Sequence, residues 1–402
     1  MLTLEQALEQ LLGAAHGVCE VDSVATEEAA GRVLAQALTA RLDVPAVDNS
    51  AMDGYALRCA DVHAAGSCLP VTQRIAAGSV GTALAPGTAA RIFTGAAVPD
   101  GADAIVMQER CRAQADGTVL IEQLPTPGDF IRRRGEDIAC ADQVLAAGTR
   151  LLPQHLGLAA SIGAAHLPVW RRLRVALLSS GDELVMPGSV PPEAMRAGAI
   201  YNSNRYLLTG LLRQMNCQVA DLGIIPDNLD ATRAALRHAA AHNDLIVSSG
   251  GVSTGEEDHI KPAVQAEGSL DLWKIAIKPG KPLAYGRIGT AAFIGLPGNP
   301  VSSLVTFMLL VRPLILALQG AGSEPLRAVS LRADFDWLRP DARREFLRVR
   351  RNSSGGVDLY AKQNSSVLSS AAWADGLLDN PPGQAIRRGD SVSFLPFTDL
   401  LY

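Results

Sequence analysis

Lysine is scarce in this chain, five residues against 31 arginines, yet Lys261, Lys274, Lys278 and Lys281 all fall in one stretch. Pro279, Gly280 and Pro282 interleave the last of them and shape a loop. Lysine supplies a compact, rotatable point charge suited to oxyanions, where arginine supplies a flat fork. The stretch reads as an anion site. Just upstream, the apolar run Leu245–Val247 breaks into Ser248-Ser249-Gly250-Gly251. In such a loop at a strand's carboxyl end, glycine lets backbone N–H groups approach an anion closely. Acids follow three strand-like runs: Asp182 and Glu183, then Asp227, then Glu256 to Asp258. One such acid alone reads as a helix cap. Three in equivalent positions opposite a lysine cluster suit an anionic ligand bound together with a divalent metal.

These residues need elements to hold them. Strand runs Leu173–Leu178, Gln218–Ile225 and Asp244–Val247 alternate with helical runs Asn204–Met215 and Leu229–His242, the first capped by Ser203 or Asn204. That alternation predicts a doubly wound, mostly parallel α/β domain over 172–322. Ahead of it, 1–44 and 133–171 read as a helical and linker region, with helices at Thr3–Ala15, Thr26–Ala37 and Pro153–Gly163. Residues 45–132 carry short strands (Val71–Ile75, Ala89–Thr94, Ala104–Glu109, Thr118–Gln123) separated by Gly/Pro turns, an inserted β-rich module. The charge run Arg132–Asp137 reads, on residues alone, as a solvated turn. Residues 323–402 return to short strands and predict a small C-terminal β domain, in which Gln363–Ser370 reads as a surface loop.

Composition narrows the function class. With 402 residues, 48% hydrophobic, 19% charged and a net charge of −5, the chain has no global pull toward nucleic acid or membrane. Anion binding must then be local. The six cysteines form no Cys-x-x-Cys pair and suggest free thiols in a reducing compartment. Met1-Leu-Thr-Leu-Glu-Gln has no signal-peptide character. Val301–Leu318 is apolar but interrupted by Ser302, Ser303, Arg312 and Pro313, and reads as a buried helix. The expectation is a soluble cytoplasmic protein.

Seven blocks stand in a recognisable order: Ser50-Ala-Met-Asp-Gly-Tyr-Ala56, Phe93-Thr-Gly-Ala-Ala-Val-Pro-Asp-Gly-Ala-Asp103, Arg133-Arg-Gly-Glu-Asp-Ile138, Ser180-Gly-Asp-Glu-Leu184, Ser249-Gly-Gly-Val-Ser253, Lys278-Pro-Gly-Lys-Pro282 and Leu296-Pro-Gly-Asn-Pro300. Together they make the chain resemble the molybdopterin molybdenumtransferase family, the MoeA-like proteins, related to the catalytic domain of gephyrin. The resemblance implies the final step of molybdenum cofactor synthesis. Adenylylated molybdopterin binds in the α/β domain, its phosphoanhydride is cleaved with Mg²⁺, AMP leaves, and molybdate joins the dithiolene sulfurs. It implies Asp53, Thr94, Asp137, Glu183 and Asp258 as catalytic residues. Substrate would be held by Ser180, Ser249, Gly250, Gly251, Lys274, Lys278, Lys281, Pro297, Pro300, Arg348 and Ser365, and metal by Glu183, Asp227 and Asp258. It also implies a homodimer whose site is shared between subunits, with the adenylyltransferase and cofactor-accepting proteins as further partners. Ser180 replaces the family's usual threonine, Pro226-Asp227-Asn228 carries one carboxylate where a pair is usual, and Asn202 stands where aspartate is common. Two alternatives remain: the adenylyltransferase, which resembles the α/β domain alone, and a non-catalytic gephyrin-like scaffold.

Overall fold

A computed structural model describes residues 1–251, 259–322 and 326–401. At its centre is a six-stranded sheet in the order Gln218–Ile225, Arg174–Ser180, Leu245–Ser249, Ala291–Leu296, Pro282–Ile288, Gly268–Lys274. The first four strands are parallel; the last two run antiparallel as a hairpin extension. Of the parallel strands, Arg174–Ser180, Leu245–Ser249 and Ala291–Leu296 are buried on both faces, which is why they read as continuous apolar runs, while Gln218–Ile225 at the edge is only partly covered. Alternate side chains divide between two cores. Val175, Leu177 and Val247 pack with Leu4, Leu208 and Leu304 of the helices Leu4–Gly13, Ser203–Gln214 and Pro300–Thr306. Ala176, Leu178 and Ile246 pack with Leu236 and Ala263 of Leu229–His242 and Ile260–Glu267.

Pro300–Leu318 continues through a π turn at Phe307–Val311. It is long and apolar enough to cross a membrane, yet 78% of its apolar window is buried within the protein. It is a core helix, as its interrupted apolar pattern suggests.

The module forms its own six-stranded sheet, Ala104–Met107, Gly54–Leu57, Ala89–Ile92, Ser67–Ile75, Thr118–Ile121, Cys111–Ala113. Among the described residues, every hydrogen bond and ion pair leaving 45–132 ends on 133–135. In the C-terminal part, Arg344–Arg351, Gly356–Leu359, Val329–Ala333, Ser391–Pro396 and Gly376–Asn380 pair in turn, and the last pairs back onto the first, closing a small barrel. Ile277–Lys278 adds to this barrel alongside Arg344–Glu345.

Three expectations fail. Gln363–Ser370 is not a plain surface loop: the helix Leu368–Trp373 begins within it, Ser370 is fully buried, and Gln363 is hydrogen-bonded to the Arg348 backbone. Thr26–Ala37 is not a helix; only a 3₁₀ turn forms, at Thr26–Glu28. Gly31 adopts φ +74°, and its N–H and that of Leu34 donate to Leu151 O and Thr149 O instead of to the preceding turn. Nor is Arg132–Asp137 a plain solvated turn. Arg133 and Arg134 bind Asp48 and Asp43, which lie 85 to 91 residues earlier, and so pin the stem of the module.

Candidate functional site

Three strand ends meet on the carboxyl edge of the sheet. Gly250, at φ +88°, lies so near the preceding strand's end that a Cβ would sit 2.8 Å from Ser180 O. Gly250 N donates to Leu296 O at 3.1 Å. The buried Asn204 amide donates to Ser249 Oγ at 2.9 Å and to Gly298 O at 2.7 Å. One side chain thus ties the Ser249 and Gly298 loops to the start of the helix Ser203–Gln214. The cap of that helix is Asn202, which accepts from Arg205 N, and not Ser203 or Asn204. Asn204 was not among the expected site residues; an asparagine within a helical run gives no signal of the loops it will reach.

Glu183 is exposed, with its carboxylate folded toward Gly181, where a Cβ would lie 2.6 Å from Oε2. Asp227 follows the neighbouring strand and is half-buried. Ser180 pairs with Ile225 in register, so these two acids leave adjacent strands. Gly251 is half-buried beside them, and Asp258 lies outside the described residues. Among the described residues no three metal-binding side chains gather. Carboxylate oxygens such as those of Glu183 and Asp227 are the donor type Mg²⁺ takes, beside several waters and substrate phosphates.

The lysine loop joins the sheet edge to the barrel. Lys278 Nζ lies 3.3 Å from both Asp341 Oδ2 and Glu345 Oε1. Glu345 is fully buried and also accepts from Trp337 Nε1 at 2.8 Å and Asn380 Nδ2 at 3.4 Å. Hydrogen bonds from Arg343 hold the Asp341 carboxyl far below its usual range, with Lys278 contributing. Arg348 is 1% exposed, and its partners are neutral: Ser370 Oγ at 3.1 Å, Phe346 O at 3.0 Å and Asn364 O at 3.4 Å. Burial pushes its guanidinium down to about 10. Lys278 and Arg348 line one cavity of about 310 Å³ together with Lys362, Gln363 and Asn364. From there the contacts run back to the sheet. Ser365 O, beside Asn364, accepts from Val301 N at 3.0 Å. Pro300 begins that helix, and Ser303 Oγ donates to Pro297 O. Lys274 and Lys281 are exposed on the paired passages next to the loop, joined through Ile275 N to Lys281 O at 2.8 Å.

Asp53 and Thr94 form a pair of their own in the module. Thr94 donates to Asp53 Oδ1 from both N and Oγ1, at 2.8 Å each. The Thr94 backbone N–H, then its hydroxyl, then nearby Arg91 keep the Asp53 carboxyl below its usual value. Asp137 is exposed at the stem, its N–H on Val44 O at 3.0 Å. Within one chain, then, Ser180, Glu183, Asp227, Ser249, Gly250 and Pro297 gather at the strand ends, and Lys278, Arg348 and Ser365 follow from them. Asp53, Thr94 and Asp137 stand apart.

Comparison with known proteins agrees along the whole length. Residues 2–163 match the MoeA N-terminal region (domain I and II), residues 176–317 the "Probable molybdopterin binding domain", and residues 330–397 the MoeA C-terminal region (domain IV). The molybdopterin molybdenumtransferase of Haemophilus influenzae is 38% identical over 411 residues, covering 100% of both chains. Molybdopterin molybdenumtransferase 2 of Mycobacterium tuberculosis is 38% identical over 377 residues, 90% of this chain and 91% of that one. The crystal structure of the molybdopterin biosynthesis moeA protein from Pyrococcus horikoshii superposes with a TM-score of 0.86, covering 98% of this chain and 100% of that one at 27% identity. Matched from end to end in sequence and in fold, the chain belongs to the MoeA family of molybdopterin molybdenumtransferases.

Proposed function

We propose that this protein is a molybdopterin molybdenumtransferase: it releases AMP from adenylylated molybdopterin and attaches molybdate to the dithiolene sulfurs. The single observation that carries this reading is Arg348, a buried cation hydrogen-bonded, among the described residues, to neutral partners alone, facing a cavity it shares with Lys278 and its ion-pair partner Glu345. A buried charge without a counter-ion is costly unless a ligand supplies one, and a tetrahedral oxoanion meets both a fork and a point charge. Lys274 and Lys281, exposed on the same loop, suit the substrate phosphates. Ser180 and the Ser249–Gly251 backbone line the adjoining strand ends, where open α/β sheets take ligands. Bound Mg²⁺ would supply charge neutralisation at the phosphoanhydride, and Glu183, Asp227 and Asp258 would hold it. Asp53, ionised and fixed by Thr94, orients the attacking water.

Because the module's polar contacts end on its own stem, Asp53, Thr94 and Asp137 serve the site of a second subunit in a homodimer. Six free cysteines fit a cytoplasmic setting, where an adenylyltransferase supplies the substrate and cofactor-accepting proteins take the product. The test is to mix purified protein with adenylylated molybdopterin, Mg²⁺ and molybdate. Molybdate-dependent AMP release is expected. AMP consumption would point to an adenylyltransferase, and absence of turnover to a scaffold.

A further inference from the structure

Asp53 owes its position to more than Thr94. It precedes the strand Gly54–Leu57, and its own carbonyl accepts from Gln108 N at 3.0 Å. Gly54 presses against the next strand so closely that a Cβ would lie 2.0 Å from Val106 O. The Gly54 carbonyl accepts from Arg91 Nη1 at 3.0 Å, while Arg91 Nη2 donates to Gln108 Oε1 at 2.6 Å. One guanidinium therefore bridges both partners of the Asp53–Gly54 backbone. Sheet register sets Arg91 across from Tyr55 on one side and beside Arg74 on the other. Its Cζ lies 5.2 Å from the centre of the Tyr55 ring and 4.7 Å from that of Phe93, and the Arg74 Cζ lies 4.4 Å from Phe93. Like charges side by side on neighbouring strands are destabilising. Among the described residues neither arginine has an ion-pair partner, so aromatic faces and neutral acceptors are what offset the repulsion. The arrangement makes little sense as scaffolding, and it converges on the one turn that carries Asp53.

We propose that Arg91 is the positioning residue for Asp53, fixing the carboxylate for its work through the Gly54 carbonyl and the Gln108 side chain. The inference rests on Asp53 belonging to the active site. A planar fork is needed because two acceptors are met at once from Nη1 and Nη2; a lysine ammonium reaches one of them. The charged groups around Asp53 are Arg91 and Arg74 on the neighbouring strands and Glu109, which accepts from Gln108 Nε2 at 3.2 Å.

The experiment compares Arg91→Lys and Arg91→Met with wild type in molybdate-dependent AMP release, alongside a crystal structure of Arg91→Met. Both variants should lose kcat by about tenfold to a hundredfold, the scale of a displaced reacting group, with KM for molybdate little changed. Arg91→Met should also move the acid limb of the pH profile upward, because a displaced Asp53 loses its Thr94 hydrogen bonds and, secondarily, the nearby cation, and its lowered carboxyl rises toward its ordinary value. Arg91→Lys keeps the charge and should move that limb less than Arg91→Met does. Full kcat in both variants, or a loss that only tracks a lower Tm with the acid limb unmoved in Arg91→Met, overturns the proposal. The crystal structure separates this inference from the reading beneath it. Thr94–Asp53 contacts still at 2.8 Å without Arg91 would sink the positioning role, whereas a fully active Asp53→Ala would sink the active-site assignment and leave a displaced carboxylate as support for the clamp.

Discussion

Arg348 keeps a charge where charge is costly. Burial alone pushes its guanidinium from the ordinary arginine range down to about 10, a penalty on the order of 3 kcal/mol at neutral pH. The sign follows from the proton count. The folded state gives up this proton before the unfolded state does, so the penalty is complete below about 10 and fades as pH rises from there toward the ordinary arginine value. Removing the arginine relieves that penalty but leaves the carbonyls of Phe346 and Asn364 without their donor, and the two effects offset. Arg348→Met should therefore shift Tm by no more than a few degrees while abolishing the protection molybdate gives, which in wild type reaches about 2.7 kcal/mol at a hundredfold excess over Kd. A thermal melt with and without molybdate checks both halves; undiminished protection in the variant would remove Arg348 from the anion site. Lys278 behaves differently. An exposed lysine contributes at most about 1 kcal/mol to folding. This one is 41% exposed but neutralises Glu345, which is fully buried. Lys278→Ala leaves that carboxylate with Trp337 and Asn380 alone and should cost about 2 kcal/mol or more. Adding Glu345→Gln should restore the stability and not the molybdate binding, measured by denaturant melts and by titration. If Glu345→Gln restores nothing, the pair is not what holds the loop. The lysine was conspicuous in sequence because its type was rare there. Its partner was not, since Arg-Glu-Phe-Leu reads as an ordinary half-exposed strand until the barrel closes over it.

The elements that carry the site divide by how local their cause is. The helices Ser203–Gln214, Leu229–His242 and Pro300–Leu318 were legible because their apolar spacing sits within each run, although the cap of the first, Asn202, lay one residue earlier than expected. The pairing of Val21–Ala25 with His166–Trp170 was not, because neither strand buries a face until its distant partner arrives. The missing helix at Thr26–Ala37 is the same lesson reversed, as backbone donors there answer to 149–151. The lysine loop belongs to both classes. Its proline and glycine punctuation marked it as shaped, yet nothing local showed that Ile277–Lys278 would enter the barrel sheet. Gly280 is what lets the loop do so. It adopts φ +109°, and a Cβ would lie 2.6 Å from the buried Thr306 Oγ1 and 3.2 Å from Ile277 Cδ1. Gly280→Ala should push the loop off the helix Pro300–Thr306 and cost about 1–3 kcal/mol, the range for a side chain forced into such a backbone region. Molybdate affinity should fall along with Tm. An alanine variant that melts normally yet binds normally would show that the loop tolerates the shift.

At the scale of the molecule, the proposed site draws on two parts that, among the described residues, share no hydrogen bond or ion pair within one chain. Asp53 and Thr94 are held rigidly by the module, while Lys278 and Arg348 are held by the sheet–barrel junction. Arg133 and Arg134 brace the stem against Asp48 and Asp43, so the module is presented outward as a fixed body and not on a loose tether. In the homodimer proposed above, two-fold symmetry would convert that geometry into two complete sites, each with Asp53 from one subunit and Arg348 from the other. Mixing two inactive variants tests the arrangement. Combine Asp53→Asn with Arg348→Met in equal amounts and let subunits exchange. Half of the dimers then become mixed, and each mixed dimer holds one doubly defective site and one intact site. Activity should rise from near zero to about a quarter of wild type. Sedimentation of differently tagged subunits establishes exchange independently of turnover. If the tags mix and the activity does not return, Asp53 and Arg348 serve the same subunit's site, and the module must reach it by a motion of the stem that breaks the Arg133–Asp48 and Arg134–Asp43 pairs.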